Sequence, residues 1–289
     1  MLQTTAVAEP LVPPRAPVEI LRRAFLYAVL VAVAAVFFVP FLWTVSTSFK
    51  TIPDSVHVNL IPHPWTTQAW HEVWTRFNFG LYFRNSFFLA AVVTGANIVL
   101  AGLGGYAFAR LRFPGRELLF LLVLGTLMVP DQLRLIPVFV MLTNWHLING
   151  FSGYILINLV TATNLFFMRQ YFLTIPKDFE EAAKLDGAGY FKTFSRVMLP
   201  LALPAVSALA ILQFQGTWND FFWPLIIFGQ GNQDLYTVQL GLASLQFQYT
   251  TLWPQLMAGS VIAVLPIVVV FVLFQRYFIS GVVSAGVKG

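Results

Sequence analysis

Two kinds of residue are scarce in this 289-residue chain, and each scarcity excludes a class of protein. Cysteine is absent, which excludes disulfides, thiolate nucleophiles and cysteine-ligated metals. Charged side chains make up only 10% of the residues, against about 25% in a soluble domain, and these are too few to cover a water-facing surface. Intrinsic disorder is excluded too, because disordered chains combine low hydrophobicity with high charge.

Apolar residues are abundant instead. They account for 58% of the chain, with 16% aromatic residues and a mean hydropathy of +0.74. The net charge of +5 would suit nucleic acid, but the basic residues are spread along the chain, and in a membrane protein such an excess sets orientation. We therefore predict an all-α, polytopic membrane protein with no nucleic-acid partner.

Long apolar runs predict six transmembrane helices, because a helix needs about 20 apolar residues to cross a bilayer. The runs cover residues 24–47, 86–109, 117–142, 153–168 (extending toward 172), 199–228 and 256–274. The first run is longer than the core of a signal peptide, about 7–15 residues, so we do not expect it to be cleaved. The transmembrane domain would then comprise residues 24–279, flanked by tails at 1–23 and 280–289.

The distribution of lysine and arginine predicts that both tails are cytoplasmic. With the N-terminal tail inside, 13 of the 17 basic residues fall in cytoplasmic segments, as the positive-inside rule requires. The basic residues left outside are Lys50, Arg76, Arg84 and Arg134.

The third run is irregular. Its part before Pro130 is about 20 Å long as a helix, which is too short for a bilayer core of about 30 Å. Pro130 and Pro137 then interrupt it, with Asp131 and Arg134 between them, three residues apart and so on one helical face. Two interpretations are open: a broken helix whose polar pair lines a pathway, or a helix that surfaces near Pro130 and continues along the outer interface.

The cytoplasmic loop at 174–198 has the pattern of two short helices joined at a glycine. Asp178 precedes Glu181 by three residues, the spacing of an N-cap and its capping-box partner, and Gly187 is placed to end a helix at 179–186 with positive φ. A second helix at 190–198 follows. The apolar contacts of the whole loop would come from Phe179, Ala182, Ala183, Tyr190, Phe191 and Phe194. Its charge would come from Glu180, Lys184, Lys192 and Arg196. An apolar face outside the bilayer binds either a protein partner or the membrane surface.

This loop resembles the EAA loop of ABC importer permeases, whose signature is E-A-A-x3-G-x9-I-x-L-P. The matching residues are Glu181-Ala182-Ala183, Gly187 and Leu199-Pro200, with Val197 replacing isoleucine. The resemblance implies coupling helices that dock on an ATPase subunit. The residues it assigns to that coupling are Glu181, Ala182, Ala183, Asp186, Gly187, Leu199 and Pro200.

Two further stretches resemble the carbohydrate-uptake branch of that family, in particular the maltose transporter's smaller permease. One is the segment from Trp218 to Leu225, read as W-N-D-F-F-W-P-L, and the other is the ending S-A-G-V-K-G. The resemblance implies a bacterial inner-membrane permease that pairs with a second permease, two ATPase copies and an extracytoplasmic solute-binding protein. It also implies that the C-terminal residues Gly286, Val287, Lys288 and Gly289 reach toward the ATPase interface.

The chain has no G-x-x-x-x-G-K-[ST] motif, so it is not expected to bind ATP itself; ATP and Mg²⁺ would be bound by the partner subunits. Gly102, Gly104 and Gly105 lie within a predicted span, where close helix packing is favoured over a phosphate loop. The histidines His57, His63, His71 and His146 fall in outside segments and are expected in solvated loops, with a metal site as the weaker alternative. No nucleophile motif is present, so we predict no enzyme activity and no bound metal.

Polar residues in the spans are candidates for a solute pathway. Sugars are held by amide and carboxylate groups together with aromatic faces. The predicted pathway residues are Gln213, Trp218, Asn219, Asp220 and Asn164, with Asn97, Asn158 and Gln215 as further polar groups. Each is alternatively an inter-helix hydrogen bonder. A di- or oligosaccharide is the expected solute, with glycerol 3-phosphate as the alternative. A secondary transporter is less favoured, because ionisable groups inside the spans are scarce.

Overall fold

The computed structural model describes residues 17–229, 231–246 and 251–286, apart from the side chains of residues 17, 18, 20 and 276–286. These residues are almost entirely helical, as predicted. The helices are α1 (Pro17–Thr47), α2 (Gln68–Thr75), α3 (Phe79–Arg110), α4 (Arg116–Thr126), α5 (Asp131–Asn144), α6 (Phe151–Ile157), α7 (Ala162–Thr174), α8 (Asp178–Leu185), α9 (Tyr190–Thr193), α10 (Leu199–Leu201), α11 (Leu203–Asn219), α12 (Phe222–Phe228), α13 (Val238–Ala243) and α14 (Trp253–Gly286). A π-helical turn, Phe194–Met198, joins α9 to α10.

Three continuous helices and three bent pairs account for the six predicted spans. The helices α1, α3 and α14 are each long and apolar enough to cross a bilayer. The pair α4 and α5 bends by 100°, α6 and α7 by 44°, and the run α9–α10 with α11 by 77°. The membrane fold is therefore confirmed, and three of its six predicted spans correspond to bent pairs of helices.

Two predicted boundaries are wrong because local breaks interrupt apolar runs. The fourth span was expected to be continuous from residue 153, but it breaks at 158–161, between α6 and α7. The fifth was expected to reach residue 228, but α11 ends at Asn219. Asp220 then adopts an extended backbone conformation, and its side chain accepts a hydrogen bond from the backbone N–H of Trp223. The apolar residues beyond it form the separate helix α12.

Both ends of the chain are more helical than expected. Helix α1 begins at Pro17, because proline is tolerated in the first helical turn, so residues 17–23 of the expected tail are helical. Helix α14 continues past residue 274 to Gly286. Residues 1–16 and the predicted contacts of Val287, Lys288 and Gly289 lie outside the described residues.

The core of the bundle forms around α3, which packs against α7, α11 and α13. Helix α1, by contrast, is exposed along most of its length and packs mainly on α14. Such a long exposed apolar surface requires lipid or another membrane protein around it.

The segment from Lys50 to His63, between α1 and α2, is folded over the outer ends of α1 and α14. Lys50 is buried there, with its Nζ donating to the carbonyls of Asn59 at 2.6 Å and His57 at 3.3 Å. Asp54 accepts from the side chain of Asn59 and the backbone of His63, and these two bonds lower the pKa of its carboxyl. The segment is therefore ordered by its own hydrogen bonds.

The glycines of α3 allow the close contact with α7. A Cβ atom at Gly105 would lie 2.7 Å from Cβ of Met168 and 2.8 Å from the backbone nitrogen of Arg169, and one at Gly104 would lie 3.0 Å from Leu165. These distances support the interpretation of the glycines as packing residues. At Gly95, on the same helix, no atom lies within 4 Å of the position that a Cβ atom would take.

We expect Gly105→Ala to destabilise the bundle by about 1–3 kcal/mol, the usual cost of overpacking, because backbone atoms of α7 would have to move. Gly95→Ala is the matched control, and it should be neutral or stabilising, since alanine favours a helix by about 1 kcal/mol over glycine. Thermal unfolding of the two variants in detergent measures the difference. Equal melting temperatures would show that α3 and α7 are not closely packed at Gly105.

Candidate functional site

The breaks in the third and fourth spans face a common cavity of about 680 Å³. Its polar lining comes from Asp131 and Arg134 at the start of α5, Asn158 and Thr161 at the break between α6 and α7, and Asp220 after α11. Three separate interruptions of the helices therefore bring polar groups to one place, which is where a membrane protein can bind a polar solute.

Both interpretations of the third span hold in part. Helix α5 turns away from α4 by 100°, as expected for a helix that leaves the bilayer direction at Pro130. Arg134 also donates to the carboxylate of Asp131, as their spacing predicted, and both residues line the cavity. The pair is about half exposed, so it is available to a solute.

Asp220 is held in the cavity wall by a tyrosine. The Tyr154 hydroxyl donates to Oδ2 of Asp220 at 2.8 Å, and Tyr154 is only 1% exposed. The backbone N–H of Trp223 approaches Oδ1 at 3.4 Å. This arrangement fixes the direction of the carboxylate at the junction between α11 and α12.

A buried asparagine supports the break in the fourth span. The side chain of Asn97, on α3, donates to the carbonyls of Asn158 at 2.8 Å and Val93 at 3.0 Å, and its Oδ1 accepts from the backbone N–H of Thr161 and the side chain of Asn164, both at 3.0 Å. A helix break inside a bilayer frees backbone groups that need partners. Asn97 is fully buried and supplies them.

Two predicted pathway residues belong to the same network. The side chain of Asn164 also donates to Gln213 at 2.6 Å, and Gln213 donates to Thr217 at 3.1 Å. These bonds join α7 to α11 and support the alternative role of inter-helix hydrogen bonding.

The remaining predicted pathway residues are separated by the structure. Trp218 is fully buried, stacks on Phe214 and donates to the carbonyl of Ala263 at 2.9 Å, which is the environment of a packing residue. Asn219 is exposed and accepts from Gln239 at 3.2 Å. Of the five predicted side chains, Asp220 lines the cavity. Thr161 was missed, since only the helix break that it adjoins marks it.

The cytoplasmic loop at 174–198 forms the two predicted helices, but the predicted N-cap at Asp178 is wrong. Lys177 is the N-cap residue and already has helical φ and ψ, so Asp178 lies within the helix and no side-chain bond caps α8. The acidic side chains Asp178, Glu180 and Glu181 instead occupy its first turn, where the helix dipole favours negative charge. Gly187 has φ +73°, as predicted for the residue that ends this helix.

The two faces of the loop differ in what covers them. Phe194 is buried against Tyr106 and Phe172 of the bundle, and Ala183 is buried as well, whereas Leu185 is 90% exposed, Phe191 73% and Tyr190 63%. Ala182 and Phe179 are exposed as well. The EAA residues Glu181, Ala182, Asp186 and Gly187 lie on the exposed side. The loop therefore presents a partly apolar surface outside the bilayer.

One charged side chain of the loop is buried. Glu180 lies 3.8 Å from Nε of Arg110, at the end of α3. Arg110 in turn donates from Nη2 to the carbonyls of Phe172, at 2.6 Å, and Ile175, just beyond α7. The sequence pattern had placed Glu180 among the residues that give the loop its charge, without predicting its burial.

Comparison with known proteins identifies the family. Residues 74–284 match the model for the "Binding-protein-dependent transport system inner membrane component" family. The chain belongs to this family. The match covers α3 through α14, including the cavity and the loop at 174–198.

Individual relatives agree with this assignment. The chain is 37% identical to the arabinooligosaccharides transport system permease protein AraQ of Halalkalibacterium halodurans, over 90% of this chain and 93% of the relative. It is 34% identical to the sn-glycerol-3-phosphate transport system permease protein UgpE of Yersinia pestis, over 79% and 83%. A solved bacterial ABC transporter involved in the import of the acidic polysaccharide alginate has the same fold, with a TM-score of 0.79, 21% identity, and coverage of 92% and 99%.

The chain is therefore a multi-pass inner-membrane permease of an ABC importer. Subunits of this family work with an ATPase and a solute-binding protein and are not enzymes themselves. The structure locates the predicted coupling and pathway residues in the fold, and their roles stay predictions.

We expect Asn97→Ala to destabilise the transmembrane bundle by about 1–3 kcal/mol, because it removes the buried side chain that binds the carbonyl of Asn158, the amide of Thr161 and the side chain of Asn164. The exposed Asn219→Ala is the matched control and should change stability little. Detergent thermal unfolding compares the two. A loss no larger for Asn97→Ala than for the control would contradict the role assigned to this network.

Proposed function

We propose that the chain forms one half of the pathway for a di- or oligosaccharide, pairing with a second, homologous permease. Two ATPase copies, which bind the ATP and Mg²⁺, would complete the assembly with an extracytoplasmic solute-binding protein. The exposed face of α8 and α9 carries this proposal, because it combines the EAA residues with uncovered apolar side chains outside the bilayer. An apolar surface of this kind favours a protein partner.

The charge of the cavity favours a neutral polyhydroxy solute. Its described lining contains the carboxylates of Asp131 and Asp220 and one guanidinium, that of Arg134, which is already paired with Asp131. An anionic solute would need unpaired positive charge. The amide and hydroxyl groups of Asn158 and Thr161 suit hydroxyl groups of a sugar. The relative named for arabinooligosaccharide transport supports this class, and the one named for glycerol-3-phosphate transport supports the alternative.

Co-purification tests the assembly. The tagged chain, solubilised gently from its native membrane, should bring with it an ATPase and a second permease. Phe191→Asp and Glu181→Lys should each reduce the co-purified ATPase activity about tenfold or more, because both place an unfavourable charge in the contact surface. Thr174→Asp, exposed at the end of α7, is the control and should retain the ATPase.

A chain that purifies without any ATPase would overturn the proposed assembly. If the ATPase is present but all three variants retain it equally, the ATPase docks elsewhere on the chain.

Uptake by cells that carry or lack this chain tests the solute. Uptake of a labelled oligosaccharide mixture should depend on the chain, while uptake of glycerol 3-phosphate should not, since the cavity lacks unpaired positive charge among its described residues. Asp220→Asn should reduce oligosaccharide uptake more than the outer, exposed Asn219→Ala. Dependence of glycerol 3-phosphate uptake alone would establish the alternative.

A further inference from the structure

The cytoplasmic ends of α3 and α7 meet the coupling helix at one charged group. The side chain of Arg110 is 5% exposed and that of Glu180 10%, so both charges are withdrawn from water. Arg110 ends α3, and its Nη2 group binds the carbonyls of Phe172 and Ile175 at the end of α7. Burying such charges is unfavourable unless they are paired. Their position therefore needs a reason other than keeping the surface soluble.

The pair is incomplete in this conformation. The Nε atom of Arg110 and the Oε1 atom of Glu180 are both buried without a hydrogen-bond partner, and they lie 3.8 Å apart. A charge-assisted hydrogen bond of this type is about 2.8 Å long. A shift of about 1 Å between the two side chains would therefore let the two atoms bond to each other.

Glu180 also lies on the side of α8 opposite the proposed docking surface. Its neighbour Glu181 and the tip residue Leu185 are exposed, while Glu180 is directed into the protein. Helix α8 otherwise packs chiefly against α9 and the π-helical turn that follow it in the chain. The Arg110 contact is thus a direct connection between α8 and the transmembrane helices.

We propose that the Arg110–Glu180 pair ties the coupling helix to α3 and α7, so that these helices move together when the ATPase subunits move. Glu180 and Arg110 are positioning residues in this role, since both lie outside the lining of the cavity. The inference rests on the proposed docking of the ATPase on this loop. The open pair would close in the conformation in which α8 is pushed toward the membrane.

A second connection must be separated from the first. Phe194, in the π-helical turn, packs on the rings of Tyr106 and Phe172, with centroids 5.4 and 6.2 Å apart. This apolar contact also joins the loop to α3 and α7. If it alone transmitted the movement, removing the charge of Glu180 would have no effect on the cavity.

The accessibility of the cavity can be measured without knowing the solute. Because the chain has no cysteine, a single Thr163→Cys in the cavity lining gives one site on this subunit. Its labelling by a membrane-impermeant methanethiosulfonate reagent is measured by mass spectrometry of this chain, in the purified complex, with and without ATP and vanadate. In the parent complex, we expect nucleotide to change the labelling rate about tenfold, the size of a substantial population shift.

Glu180→Gln should retain the ATPase in the complex and reduce the nucleotide-dependent change to less than about twofold. Glu180→Asp keeps the charge but withdraws the carboxylate by one methylene group, and it should give an intermediate change. Glu19→Gln, which removes an exposed glutamate paired with Arg23 on α1 at the same membrane face, is the control and should respond as the parent does.

A full response in Glu180→Gln would overturn the proposed link and leave Phe194 as the connection. If that variant is not recovered in the membrane, a full response in Glu180→Asp would overturn it equally. Absence of any ATPase from the parent complex is a different result, since it would overturn the proposed function and with it the basis of the link.

Discussion

The need to satisfy backbone polar groups inside a bilayer governs this structure. A continuous helix meets that need by itself, as α3 does, and α1 and α14 do so except at the internal prolines Pro40 and Pro266. The third and fourth spans are broken, and a break inside the bilayer exposes amides and carbonyls that require partners. At the break between α6 and α7, Asn97 binds the groups of Asn158 and Thr161 from a neighbouring helix. The same break brings Asn158 and Thr161 to the cavity wall. Interrupting this helix therefore both frees backbone groups that need partners and forms part of a polar site.

Sequence patterns predicted the membrane fold, the spans and the two helices of the loop at 174–198 because these depend on local properties. Apolar length identifies a span, and Gly187 ends α8 with positive φ wherever the helix packs. The interruptions were harder to predict. Pro130 marked the break in the third span, whereas no proline or charge marked the break at 158–161, which depends on Asn97 from a distant part of the chain. Likewise, Asp220 ended α11 within an apolar run that composition alone reads as continuous.

The candidate site was predicted in part for a related reason. A polar residue within a span can either face a solute or bond to another helix, and its type does not distinguish these roles. Gln213 and Asn164 bond to each other, Trp218 is buried, and Asp220 reaches the cavity. Glu180 shows the same limit on the cytoplasmic side. Its position among charged neighbours did not predict its burial, yet it is buried because Arg110 lies beneath α8.

Helix α3 connects the parts that the function requires. Asn97 near its middle supports the cavity wall, Gly105 allows its close contact with α7, and Arg110 at its end meets the coupling helix. Asn97 and Arg110 are separated by about 20 Å along a continuous helix, at about 1.5 Å per residue. A helix of that length without a break is stiff, and the tight packing at Gly105 prevents it from sliding past α7. A displacement of α8 that reaches Arg110 therefore moves the helix that carries Asn97, and the polar wall of the cavity moves with it.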